Sequence, residues 1–134
     1  MKLFFCDILL LMKLFVDIDD TLIMHKLPSS FNWGLVDAIT KFVRSFDVPL
    51  VIWSGTGEDY AKKYSNVFFP IVKQVVAAGA KNNPVLLDSV KSTDVAIDDR
   101  PKQTRDYLKN FGLVYLPHQF LELAEESWYN KVWI

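Results

Sequence analysis

Two tight groups of aspartates stand out in the chain. Asp17 and Asp19 lie in Phe15-Val16-Asp17-Ile18-Asp19-Asp20-Thr21, and Asp98 and Asp99 close Val95-Ala96-Ile97-Asp98-Asp99. Four carboxylates brought into one site repel strongly in a low dielectric. A hard divalent cation offsets that repulsion most simply, and an all-oxygen donor set in a compact site suits Mg²⁺. Magnesium keeps waters and partners well with a phosphate, whose charge such a site can neutralise for in-line attack. Asp17 could then attack phosphorus and form an aspartyl-phosphate. Asp19, two residues on, could protonate the leaving oxygen and later activate water. Ser54 with the backbone of Gly55-Thr56-Gly57 could donate hydrogen bonds to phosphate oxygens. A lysine is still required. Taken singly these signals are weak: acids at strand ends also cap helices, Ser-Gly is an ordinary turn, and an isolated lysine is usually a solvated one.

What gives them weight is the elements that must carry them. Leu14 to Ile18, Leu50 to Trp53 and Asp94 to Ile97 are short, largely apolar runs, each bounded by polar residues, which predicts buried strands. Apolar residues at Leu35, Ile39, Phe42, Val43 and Phe46 predict a helix over 33–46, ended by Val48-Pro49. A second helix is predicted over 58–64, with Glu58 and Asp59 in its first turn. Residues 71–78 read as helix or strand, 79–84 as a break, and Val85-Leu86-Leu87 as a short strand. A helix over 101–110 with Pro101 in its first turn and Gly112 past its end, a strand over 113–116, and a last helix over 119–127 complete the chain. Alternating strands and helices with wholly apolar strands predict a parallel sheet covered on both faces. Such folds place function just beyond the C-terminal strand ends, where Asp17, Asp19, Ser54, Asp98 and Asp99 all fall.

Composition bounds the rest. A chain of 134 residues, 51% hydrophobic, fits one domain with a real core. A formal net charge of −1 leaves no global footprint for nucleic acid or an anionic membrane. One cysteine, Cys6, allows no internal disulfide, and no Cys/His spacing suggests zinc, so a cytoplasmic location is the default expectation. The apolar stretch Leu3 to Val16 is too short and too interrupted to span a bilayer, and no cleavage region follows it. Met12-Lys13-Leu14-Phe15 repeats Met1-Lys2-Leu3-Phe4, so residues 1–11 are expected to be an extension and residues 12–134 the domain itself.

Phe15-Val16-Asp17-Ile18-Asp19-Asp20-Thr21-Leu22 resembles the first motif of the haloacid-dehalogenase-like superfamily, Asp-x-Asp-x-Thr. Val51-Ile52-Trp53-Ser54-Gly55 resembles the second motif, and Val95-Ala96-Ile97-Asp98-Asp99 the fourth. The resemblance runs from about Lys13 to Leu116. It implies a Rossmann-like three-layer sandwich with a parallel sheet of order 5-4-1-2-3. It implies Asp17 as nucleophile and Asp19 as general acid and base. Mg²⁺ would be held by Asp17, the backbone carbonyl of Asp19, Asp98 and Asp99. Ser54 and Gly55 would bind phosphate, and Thr21 would support the motif loop. The phosphate lysine would be Lys91, a short gap before Asp98 as in compact members of the family, with Lys81, just after an expected helix end and before Asn82-Asn83-Pro84, as the other candidate. Thr21 to Trp33 and Ser54 to Lys91 leave no room for a sizeable cap domain, so the expected enzyme is a compact, cap-less phosphomonoester hydrolase with an open site.

An open site admits a phosphate on a large molecule, or is covered by a second subunit; the oligomeric state is not legible. Phe31 and Trp33 either line its rim or pack on the core. The aromatic tail of Trp128, Tyr129, Val132 and Trp133 either packs on the domain or covers a partner's site. Val95 to Arg100 also resembles the phosphatase domain of phage polynucleotide kinase-phosphatases, which makes a nucleotide or polynucleotide 3′-end phosphatase the alternative. No kinase P-loop is present, and the near-neutral charge argues against long nucleic acids. A receiver-type signalling domain fits poorly, because its acidic pair precedes its phosphorylated aspartate. A catalytically silent phosphate-binding member is not suggested either, since every core carboxylate is present.

Overall fold

A computed structural model describes residues 12–26, 28–100 and 108–130. Along the chain run β1 (Leu14–Val16), β2 (Ile23–Met24), β3 (Ser30–Phe31), α1 (Trp33–Phe46), β4 (Leu50–Ser54), α2 (Glu58–Phe68) and β5 (Val75–Ala80). α3 (Pro84–Ser89), β6 (Val95–Ile97), β7 (Leu113–Tyr115) and α4 (Pro117–Asn130) follow. The extension expected over residues 1–11, most of the helix expected over 101–110, and the side chains of the aromatic tail lie outside the described residues.

Five strands pair in parallel in the order β5-β4-β1-β6-β7. That order differs from the expected 5-4-1-2-3, because two short strands, β2 and β3, pair antiparallel outside the sheet and take two of the numbers. Counting the sheet's own strands alone, the order is 3-2-1-4-5. β1 is central. The chain leaves it toward β4 and β5 on one side and returns to β6 and β7 on the other, which puts a topological switch point between β1 and β6.

Side chains alternate across the sheet. Leu14, Val16, Leu50, Ile52, Val95 and Ile97 face one layer, where α1, α2 and α4 supply Ile39, Val43, Ala61, Phe68, Phe120 and Ala124. Phe15, Val51, Trp53 and Ala96 face the other, against Leu108, Phe111 and the half-buried Leu86 and Leu87 of α3. Because both faces are covered, both phases of the alternation are apolar, and the strands read as unbroken hydrophobic runs. The arrangement is α/β, consistent with a Rossmann-like fold. No helix among the described residues is long and apolar enough to cross a membrane.

Two expectations are corrected. Val85-Leu86-Leu87 is helical, within α3. The Asn83 side chain accepts from the amides of Val85 (2.9 Å) and Leu86 (3.4 Å), and Pro84 occupies the first turn, so an N-cap followed by proline starts a helix. Residues 79–80, expected to be a break, belong to β5, which resolves the ambiguous stretch as strand. Gly112, expected just past a helix end that lies mostly outside the described residues, also sits in a close backbone approach. Its amide donates to the Asp94 carbonyl (2.9 Å), and a Cβ there would lie 2.1 Å from the Ser92 carbonyl oxygen.

Asp94 ties the base of the sheet together. Its carboxylate is fully buried and accepts from the Lys13 and Lys91 amides, both at 2.9 Å, while Lys13 Nζ pairs with it at 3.0 Å. Asp94→Ala would strand these donors in the interior. The expected cost is about 2–4 kcal/mol, read as a lower denaturant midpoint at unchanged m.

Candidate active site

Strand register explains how distant aspartates meet. Val16 lies opposite Ile97 of β6 and Ile52 of β4, so Asp17 and Asp98 leave adjacent strand ends at the same level. Ser54 lies opposite Ala80 of β5, which delivers the next residue, Lys81, to the same edge. Backbone bonds hold these ends in line: Asp17 N to Ile97 O (3.1 Å), Lys81 N to Ser54 O (3.0 Å) and Asp98 N to Tyr115 O (3.0 Å).

The turn after β1 is tight. The Ile18 carbonyl accepts from the amides of Thr21, Leu22 and Ile23, and Asp20 takes a left-handed φ of 58°. Aspartate tolerates that conformation better than most residues. The buried Thr21 hydroxyl donates to Asp17 Oδ2 at 3.1 Å.

Lys81 lies between two buried carboxylates, with Nζ 2.7 Å from Asp17 Oδ1 and 2.9 Å from Asp98 Oδ2. Burial alone would lower the lysine's pKa, but the charges of Asp17 and Asp98 raise it well above its ordinary value. One ammonium cannot neutralise both acids. Burial, opposed by Lys81 and reinforced by the charge of Asp98, moves the Asp17 pKa from an ordinary 3.8 to about 7. Asp98 Oδ1 also accepts from the Arg100 amide at 2.8 Å. Oxygens of Asp17, Asp98 and Asp99 all lie within 4.8 Å of one another.

Asp19 is held separately. Tyr60 Oη donates to its Oδ1 at 2.5 Å, His25 Nε2 lies 2.8 Å from the same oxygen, and Thr56 Oγ1 donates to Oδ2 at 3.3 Å. Burial raises the Asp19 pKa, but the bonds from Tyr60 and His25, the His25 charge and Thr56 outweigh it and hold the group below its ordinary value.

A pocket of about 240 Å³ opens over these groups. Its wall carries five carboxylates (Asp17, Asp19, Asp20, Asp98 and Asp99) and two cations, Lys81 and Arg100, with Gly55 and Thr56 at one side. That volume has room for a phosphate and for part of the group that carries it. No inserted cap covers it among the described residues: the hairpin β2–β3 lies between Asp19 and α1, and α2 alone fills the span between β4 and β5.

The expected Asp17, Asp19, Asp98, Asp99 and Gly55 thus share one pocket. Ser54 lies just beneath it, buried, with Oγ accepting from the Thr56 amide at 3.0 Å. The leading lysine is corrected. Lys91 is exposed, lies outside the pocket wall and engages Asp94 through its backbone amide, whereas Lys81 reaches the aspartates. Lys91 precedes β6 and therefore sits at the opposite end of the sheet from Asp98, which follows β6. The sequence offers Thr56 only for its backbone, whereas its side chain reaches Asp19; Arg100 adjoins the acidic pair, and nothing in the spacing links His25 or Tyr60 to Asp19. Phe31 and Trp33 are partly exposed and pack edge-on against each other and against Phe68, outside the pocket wall.

The chain matches no family model, no curated protein and no solved structure with which it was compared.

Proposed function

We propose that this protein is a Mg²⁺-dependent phosphomonoester hydrolase of the haloacid-dehalogenase-like type, with Asp17 as nucleophile. The observation that carries the reading is the Lys81 bridge between Asp17 and Asp98 at the carboxyl ends of β5, β1 and β6, in a pocket walled by five carboxylates and two cations. Its place at the strand ends beside the switch point is where such sheets bind ligands.

The residues present fit a magnesium ion. Asp17, Asp98 and Asp99 offer a clustered all-oxygen donor set, and the wall has more carboxylates than cations. When bound, Mg²⁺ would offset that excess and help neutralise the substrate phosphate. Asp17 attacks phosphorus: an O–P bond forms to its carboxylate, the ester O–P bond breaks, and the electron pair leaves with the alcohol oxygen. Asp19 gives that oxygen a proton. Held below its ordinary pKa, Asp19 meets the substrate ionised, and the adjacent phosphate charge raises it, so the proton is taken up with the substrate. Water then attacks phosphorus, Asp19 takes its proton, and the O–P bond to Asp17 breaks to release phosphate. Lys81 balances the charge of the phosphoryl group, while the Gly55 and Thr56 segment borders its oxygens.

The test is release of phosphate from 4-nitrophenyl phosphate with added Mg²⁺. Expected are turnover that EDTA abolishes and Mg²⁺ restores, and an acid-stable phosphoenzyme lost with base. A panel of nucleotides, 3′-phosphorylated oligonucleotides and sugar phosphates follows. No release from any phosphoester would refute the reading.

A further inference from the structure

We propose that His25 and Tyr60 are positioning residues for Asp19: together they tie its Oδ1, leaving Oδ2 to face the leaving group. The proposal rests on the phosphatase reading above and adds to it residues outside the three motifs.

Two donors converge on one oxygen. Tyr60 Oη lies 2.5 Å and His25 Nε2 2.8 Å from Asp19 Oδ1, whereas among the described residues Oδ2 meets only the longer Thr56 contact of 3.3 Å. Thr56 and Asp19 both line the pocket, so the lightly held oxygen is on the pocket side. A carboxylate on a flexible loop samples many χ2 settings. Two donors on one oxygen fix the plane, so the other oxygen starts close to where it must act. A neutral imidazole with its hydrogen on Nε2 suffices, so the arrangement needs no charge on His25.

The two donors come from different elements. His25 follows β2 in the hairpin, and Tyr60 is in the first turns of α2. An aromatic series locks hairpin to helix. Tyr60 packs on Tyr64 (4.8 Å between centroids), Tyr64 stacks on Phe68 (5.9 Å), and Phe31 of β3 meets Phe68 edge-on at 5.1 Å. The hairpin outside the sheet thereby acquires a role: it carries a donor to the general acid and is braced against the helix that carries the other.

Leaving-group dependence tests this. An alkoxide needs a proton to depart and 4-nitrophenolate does not. The ratio kcat/KM reports the steps up to that departure, so it isolates the acid role of Asp19 from its later role as base. Tyr60→Phe and His25→Ala are each expected to lower kcat/KM for an alkyl phosphate by roughly tenfold or more, with a clearly smaller loss on 4-nitrophenyl phosphate. His25→Gln, which keeps an N–H donor, should recover much of the alkyl rate. Equal losses on both substrates, or no loss on the alkyl ester, would overturn the proposal. Thermal unfolding checks each variant. If Tyr60→Phe unfolds, His25→Ala, at a half-exposed side chain, decides the matter alone. A wild-type protein inactive on both esters would refute the phosphatase reading itself, whereas an active one with equal losses refutes the positioning alone.

Discussion

Asp17→Asn is expected to lower kcat by at least about a thousandfold, because an amide oxygen neither attacks phosphorus nor leaves from it as a carboxylate does. Single-turnover phosphate release with Mg²⁺ measures it, and full activity in the variant would overturn the mechanism. The same substitution should act on stability in the opposite sense when divalent cations are chelated. In the metal-free protein the Asp17 pKa is raised from 3.8 to about 7 by burial, with Lys81 opposing and Asp98 adding to it. A carboxyl with a raised pKa binds more protons folded than unfolded between those values. Its contribution to stability therefore falls as pH rises from about 4 to about 7, and is flat beyond both limits. Asn carries no proton to lose. Urea unfolding in EDTA at pH 5 and pH 8 should show the wild type losing stability across that interval and Asp17→Asn losing less. A variant less active but with an unchanged pH slope would place the titration elsewhere.

The parts of this molecule that could be read from sequence are those encoded locally. β1, β4 and β6 are apolar runs ended by polar residues, and α1 shows helical spacing from Leu35 to Phe46; the structure has each within two residues of its expected bounds. Asp17, Asp98 and Asp99 could be placed together because strand ends in a parallel sheet share a level. The errors came where local signals compete. Val85-Leu86-Leu87 is as apolar as a strand, and only the Asn83 cap and Pro84 mark it as a helix. Residues 71–78 read equally as helix or strand, and Lys81 reads as following a helix end, so the chain alone does not put it at a strand end beside the aspartates. The short gap from Lys91 to Asp98, as in compact members of the family the motifs resemble, favours Lys91, but three residues of strand separate the two ends of β6, and a lysine before the strand starts from the far edge. His25 and Tyr60 reach Asp19 only through the packing of the hairpin on α2, which has no signature in either segment.

Lys81→Ala and Lys91→Ala should therefore differ sharply. Removing Lys81 leaves Asp17 and Asp98 facing one another without the ammonium 2.7 and 2.9 Å away. Breaking a buried pair by deleting one partner costs on the order of 3–5 kcal/mol, and here a proton on Asp17 recovers part of it. The loss of stability should be smaller at pH 5 than at pH 8, since the proton is available at the lower value. Activity should drop by about a hundredfold or more, because the charge balancing the transferred phosphoryl group is gone at the moment it develops. Lys81→Arg should not restore the rate, since a planar fork does not fill the place of one ammonium between two carboxylates. Lys91→Ala should leave kcat/KM within about twofold and stability within about 0.5 kcal/mol, because the amide that binds Asp94 survives the substitution and the exposed side chain lies outside the pocket. Steady-state kinetics and urea melts of the pair decide it. Equal losses in the two variants would mean that the site extends to the far end of β6, and a loss confined to Lys91 would return the phosphate lysine to the position nearest Asp98 in sequence.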